Sequence, residues 1–221
     1  MKKVLVFILA ICLHVGLCAC SSEKQTEPIA EPTEPTEVAI EVEALVSELG
    51  GYLEYTYSDH ILNEKGQVVS RQVDGFNKRT ETFEYDDQGR VVKCNMIYAN
   101  DDEIYTDTYT YDESGLLVEA CEGSNSFVYT YTLDEQGRVM TKKCVNINSS
   151  SGATMIYTYT YNEDGTVATE TQKSRKSTYV ITYTYDEKGR VSTARAVEEG
   201  ERSGVTTRYT YAVVGSYVPS T

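Results

Sequence analysis

From residue 52 onward, large apolar residues alternate with small β-branched ones. Residues 157–161 read YTYTY, residues 129–132 read YTYT and residues 183–185 read YTY, with Thr between the tyrosines. A period of two places successive side chains on opposite faces of a strand. Each run therefore predicts a strand with a Tyr face and a Thr face. Each run also ends in a short polar stretch with a glycine and resumes with Val or Leu. Residues 83–91 read FEYDDQGRV, 109–117 YTYDESGLL, 131–139 YTLDEQGRV, 159–167 YTYNEDGTV and 183–191 YTYDEKGRV. A weaker opening copy ends in LNEKGQV at 62–68, and a decayed last copy reads YTYAVVGSY at 209–217. The glycines at their centres are Gly66, Gly89, Gly115, Gly137, Gly165, Gly189 and Gly215, separated by 23, 26, 22, 28, 24 and 26 residues. Spacing of this size marks one supersecondary unit per repeat, stacked on its neighbours. Strand, turn and strand in each unit make it a β-hairpin.

The turn follows from its residues. A three-residue loop built on a type I turn needs a left-handed residue at its last place, which Gly adopts freely. With Glu187, Lys188 and Gly189 as that loop, Asp186 takes the first turn position, where its side chain can bond the backbone. Asp186 then faces Arg190 across the hairpin, and Tyr185 faces Val191. The same register sets Asp86 opposite Arg90 and Asp134 opposite Arg138. It places Asp112 and Asn162 at the turns of Gly115 and Gly165. Tyr85, Tyr111, Leu133 and Tyr161 fall opposite Val91, Leu117, Val139 and Val167. Each such cross-strand pair contributes roughly 0.2–1 kcal/mol.

These residues resemble the YD repeats of RHS-type proteins, whose signature is Tyr-Asp followed by two residues, Gly-Arg and an aliphatic. The resemblance covers about residues 52–217. Large members of that family wind such repeats into a β-sheet shell around a toxin or use them as extracellular spacers. Seven copies are too few to enclose a cargo, and no toxin-like or peptidase-like segment follows Gly215. Only the strand–turn–strand architecture is carried over.

Seven hairpins supply thirteen or fourteen strands, and open twisted sheets rarely exceed about 10 without curling or splitting. The fold class is all-β: an antiparallel meander of about seven hairpins in one curled sheet or solenoid, occupying residues 52–221. Its core is the Tyr column and its solvated face the Thr column. Tyr55 and Tyr57 fall out of register with Leu62, which predicts a bulge or a different strand pairing in the first repeat. Longer stretches between Tyr98 and Thr106, and between Ile147 and Thr154, form loops on the edge opposite the turns.

Ahead of the repeats, residues 38–51 form a cap for the first sheet edge. Val38, Val42, Leu45, Val46 and Leu49 share a helical face that stops at Gly50 and Gly51. Ile40, Val42, Ala44 and Val46 also alternate with polar residues as in a strand. The reading favours a short helix, with a strand as the alternative.

Residues 1–19 read as a lipoprotein signal peptide. Lys2 and Lys3 precede an apolar stretch of signal length, shorter than the ~20 residues of a spanning helix. Leu17, Cys18, Ala19 and Cys20 resemble the bacterial lipobox, which implies lipid attachment at Cys20. Residues 20–37 are rich in Pro, Glu and Thr and form a disordered tether. The protein is then held by lipid on the outer face of a membrane in a bacterial cell envelope. A surface protein or glycan is its expected partner.

The formal charge is −14, from 20 basic and 34 acidic residues. Without Lys2 and Lys3 it becomes 18 − 34 = −16. Such a surface repels nucleic acid. Cys94, Cys121 and Cys144 each follow their own turn, on strands two steps apart. Two steps of ~4.8 Å put them about 10 Å apart, beyond the ~7 Å a disulfide spans, so they read as free thiols. Of the two histidines, His14 lies in the signal and His60 stands alone, without the orienting group that a catalytic set requires. The acidic turns are too far apart to share one calcium ion. The sequence thus points to no cofactor, metal or catalysis. It predicts a β-repeat module for adhesion, scaffolding or partner binding, with carbohydrate binding on exposed tyrosines as the alternative.

Overall fold

A computed structural model of the chain describes residues 39–50, 53–149 and 153–218. The signal, Cys20 and the tether lie outside the described residues. Among the described residues every regular element is a strand. After β1 (Ile40–Gly50) come six hairpins: β2 (Leu53–Leu62) with β3 (Val68–Asp74), β4 (Arg79–Tyr85) with β5 (Val91–Tyr98), and β6 (Ile104–Tyr111) with β7 (Leu117–Glu122). The next three are β8 (Asn125–Leu133) with β9 (Val139–Asn146), β10 (Thr154–Tyr161) with β11 (Val167–Lys173), and β12 (Thr178–Tyr185) with β13 (Val191–Glu198). A long strand, β14 (Gly204–Tyr217), comes last. Each strand pairs antiparallel with the next, and β1 pairs with both β2 and β14, so the sheet is a closed barrel.

This closure corrects two expectations. The sheet is not an open curl or solenoid. Nor is the segment before the first repeat a helix: it is β1, whose Glu48 pairs with Tyr209 on one side and Tyr55 on the other. A helix would have satisfied its own backbone and left β2 and β14 with unpaired edges. A strand satisfies three rows of backbone groups together.

A third correction concerns the decayed last copy. At Val213 and Val214 the chain does not turn. It continues as strand, with a register slip at Val214, Ala212 opposite Ala44 and Gly215 opposite Val42. The partner of β14 therefore comes from the other end of the chain.

The Tyr column faces inward. Tyr129, Tyr157, Tyr159, Ala120 and Cys144 form the buried cluster, with Tyr109, Phe127, Tyr131, Met155 and Tyr161 packed around it. Val73, Val91, Cys94, Ile181 and Ala196 extend the buried set around the barrel. Tyr105 is the one exposed ring among the described tyrosines. Outside, threonines face one another across the hairpins. The hydroxyls of Thr132 and Thr141, Thr160 and Thr169, and Thr184 and Thr193 lie 2.7, 2.6 and 2.7 Å apart. The pairing of β2 with β3 slips between Ser58 and Ile61, and Asp59 there has φ +50°. That is a bulge in the first repeat, one of the two outcomes that the register of its tyrosines allowed. Cys94, Cys121 and Cys144 are free thiols.

Candidate functional site

The repeat turns are built alike. In the sixth repeat Asp186 N–H donates to the Arg190 carbonyl at 2.8 Å, and Gly189 N–H to the Asp186 carbonyl at 3.0 Å. Gly189 has φ +75°, and the turn glycines Gly66, Gly89, Gly115, Gly137 and Gly165 lie between +75° and +88°. The Asp side chain finishes the loop. Asp186 Oδ1 accepts from the N–H groups of Lys188 and Arg190, both at 2.9 Å, and Oδ2 accepts from Arg190 Nε at 2.8 Å. Asp86 with Arg90 and Asp134 with Arg138 repeat this, their Nε–Oδ2 distances being 2.6 and 2.7 Å. Burial pushes these three carboxyls up, but the backbone and guanidinium donors outweigh it and hold them below the usual range.

Where Arg is missing, smaller groups close the loop. Asp112 takes the N–H groups of Ser114 and Leu116 and the Ser114 hydroxyl. Asn162 donates through Nδ2 to Thr166 Oγ1 at 2.9 Å. In the first repeat Asn63 Oδ1 accepts from Lys65 and Gln67 N–H.

Past each turn the aliphatic residue pairs with the Tyr slot, and the next residue bulges out. Tyr185 pairs with Val191 and Thr184 with Thr193, skipping Ser192. The same skip occurs at Val69, Val92, Val118, Met140 and Ala168. Bulges increase local bend and twist. Accordingly, pairing between neighbouring repeats stops at the Thr level, for example at Thr169 with Thr182.

The Tyr in this slot fills the wedge left between hairpins. Its hydroxyl donates to the carbonyl of the aliphatic residue in the preceding repeat. Tyr85 bonds Val68 at 2.6 Å, Tyr111 Val91 at 2.9 Å, and Tyr161 Val139 at 2.7 Å. Tyr185 bonds Val167 at 2.7 Å and Tyr211 Val191 at 3.2 Å. In the fourth repeat the slot holds Leu133, which has no hydroxyl. Tyr131, two residues earlier, supplies the bond to Leu117 at 2.6 Å.

The Gly-Arg arginine acts across the same joint. While bonded to its own Asp, its guanidinium lies over the next repeat's ring. Arg90 sits 4.6 Å from the Tyr111 centroid, Arg138 4.4 Å from Tyr161 and Arg190 4.3 Å from Tyr211. Such stacking contributes about 0.5–1 kcal/mol at exposed sites and more when desolvated. Each full repeat is thus stapled to the next by one hydroxyl and one cation.

Glu81, Glu170 and Lys142 are buried, each against a partner. Glu81 accepts from Arg71 Nε and Arg79 Nε, both at 2.8 Å. Glu170 accepts from Gln172 Nε2 at 2.6 Å, and Lys142 Nζ lies 4.0 Å over the Tyr157 ring. Burial lowers the Lys142 pKa, partly offset by Glu170. It raises those of Asp107 and Glu122, which face each other across β6 and β7. Burial also pushes the Tyr131 phenol up to about 12, keeping it a neutral donor. No group of three or more His, Cys, Asp or Glu among the described residues could hold a metal ion.

Sequence reasoning missed the closing joint. Tyr211 pairs with Leu45 and Thr210 with Ser47, skipping Val46. Leu45, Val46 and Ser47 therefore stand where Val191, Ser192 and Thr193 stand in the sixth repeat, and β1 is the second strand of the seventh. Glu43 on β1 is reached by Lys188 Nζ and, at 3.1 Å, by Arg190 Nη1, both from the β12–β13 turn. The signal was present in the aliphatic triplet at 44–46, but a shorter stretch without turn residues does not announce itself as half a repeat.

Six stapled hairpins and a split seventh, closed into one barrel, define a YD-repeat β-shell. The family model for the Teneurin YD-shell matches residues 52–218, and the chain belongs to that family. Among solved structures it is similar at 14% identity to a chain of the Photorhabdus luminescens Tc holotoxin pore, with TM-score 0.35 over 71% of this chain and 9% of that one. It is similar also to a porin-like protein from Bacteroides uniformis, at 14% identity and TM-score 0.38, over 80% of this chain and 98% of that one. No curated protein matches it.

Proposed function

We propose that the protein is a non-catalytic shell module, held by lipid at Cys20 outside a bacterial membrane, that presents its barrel for adhesion, scaffolding or partner binding. One observation carries this reading: the side chains that define the repeat all work at joints between strands. Tyr hydroxyls and Arg guanidiniums hold hairpins to one another, and Asp carboxylates and turn glycines close each hairpin's own loop. A chain that uses its recurrent polar groups this way is building a rigid surface. The outward Thr column suits water, since a lipid-facing barrel needs an apolar band there.

The carbohydrate alternative needed a stripe of exposed rings, and the Tyr column supports the barrel interior instead. The test is fractionation of cells carrying the full chain or its Cys20→Ser variant, with protease added to intact cells. The proposal expects the full chain in the membrane fraction and cleavable from outside, and the variant released. Membrane retention of the variant, or protection of the full chain from protease, would overturn it.

A further inference from the structure

Seven joints hold the barrel, and six are stapled by a tyrosine hydroxyl on an aliphatic carbonyl. The seventh lies between β1 and β2, where Leu45 offers the carbonyl and the Tyr slot holds Leu62. Its backbone pairing ends at Ser47 with Thr56. When Leu133 occupied the same slot, the residue two places earlier supplied the donor. Two places before Leu62 is His60, half-buried on β2, and the Leu45 carbonyl is among the groups that bear on its imidazole. The bulge at Asp59 immediately precedes it and leaves Asp59 and His60 opposite Arg71 of β3.

We propose that His60 is the latch of the barrel seam, and that its protonation releases β1 from β2. A phenol in this place would stay neutral at every physiological pH. An imidazole titrates near pH 6.5 when free. Nε2 of His60 is buried and has no hydrogen-bond partner among the described residues. A proton there would sit in a half-buried site without an acceptor and share it with a second cation.

That cation is Arg71 of β3, held between Glu81 and the Tyr57 ring. On β2 itself Asp59 favours the charged ring. On β1 the Leu45 carbonyl does the same, while Glu48 is engaged by the Tyr57 hydroxyl at 3.4 Å and lies near Arg71. On β14 the residues paired with Leu45 and Glu48 of β1 are Tyr211 and Tyr209, whose phenols burial keeps neutral. Burial, then Arg71, outweigh the favourable groups, so the closed seam holds the imidazole below its ordinary value. The sign follows: with the closed-state pKa depressed, closure is complete above about 6.5 and weakens as pH falls below it. Between the two pKa values each pH unit favours the open seam by up to about tenfold.

The test is amide hydrogen exchange on the full chain at pH 7.5 and 5.5, corrected for intrinsic rates. Peptides from β1 and β2 should lose protection on acidification by several-fold relative to those from β10 and β11. In His60→Gln and His60→Tyr the change should vanish, because neither side chain gains a proton. A pH response that persists in both variants, or no response in the wild type, overturns the latch. Should both variants fail to fold, a wild-type NMR titration decides. An imidazole titrating below 6.5 in step with the β1 and β2 amide shifts supports the latch, and one at or above 6.5 refutes it.

Discussion

Tyr161 shows in one side chain what the repeated phrase does. Its ring packs on the buried cluster, its hydroxyl bonds Val139, and Arg138 lies over its face. Removing the hydroxyl leaves the joint packed but deprives one carbonyl of its donor. Tyr161→Phe should cost about 0.5–1.5 kcal/mol in urea unfolding. A double-mutant cycle with Arg138→Met and Tyr161→Leu should leave a coupling of about 0.5–1 kcal/mol. Coupling near zero would mean that guanidinium and ring are merely neighbours. Leu133 and Tyr131 make the same point by exception: the joint needs a donor at that carbonyl, and the chain supplies it from the next inward position.

At the scale of the element, the hairpin is locally determined. Asp, two polar residues and Gly dictate a loop that closes within five residues, and Tyr–Thr alternation dictates the faces on either side. Both are therefore legible in sequence. At Gly189 nothing lies within 4 Å of a would-be Cβ, so a side chain there meets only the backbone penalty of positive φ. Gly189→Val should lower stability by about 1–2 kcal/mol, read from the midpoint of urea unfolding; an unchanged midpoint would contradict this turn geometry. The bulges at Val92 or Ser192 were not legible. An extra residue after the turn leaves the inward and outward composition plausible in either register. The Arg–Tyr staple was also hidden, because its partners belong to successive repeats and meet only when hairpins fan apart at the turn end.

The whole molecule turns on an element whose conformation its own residues do not decide. Residues 38–49 carry both a helical and a strand pattern, and edges far away in the chain choose between them. β2 needs a partner at one end of the sheet and β14 at the other, and twist brings those ends together. β1 serves both, and it completes a seventh repeat whose halves are far apart in the chain and adjacent in the barrel. The sequence revealed the repeats but not the closure, and showed the seventh copy only as decay, because its second strand precedes the first copy.

Closure is tested most directly by cross-linking the two ends. Ser47 and Thr210 are paired residues of β1 and β14, and paired residues lie about 4.5–5.5 Å apart between Cα atoms, within the span of a disulfide. A chain with Ser47→Cys and Thr210→Cys, oxidised at low concentration, should give a monomer whose peptides are joined at those positions. Cross-links only between molecules, or none, would mean that β1 and β14 stand apart and that the sheet is open.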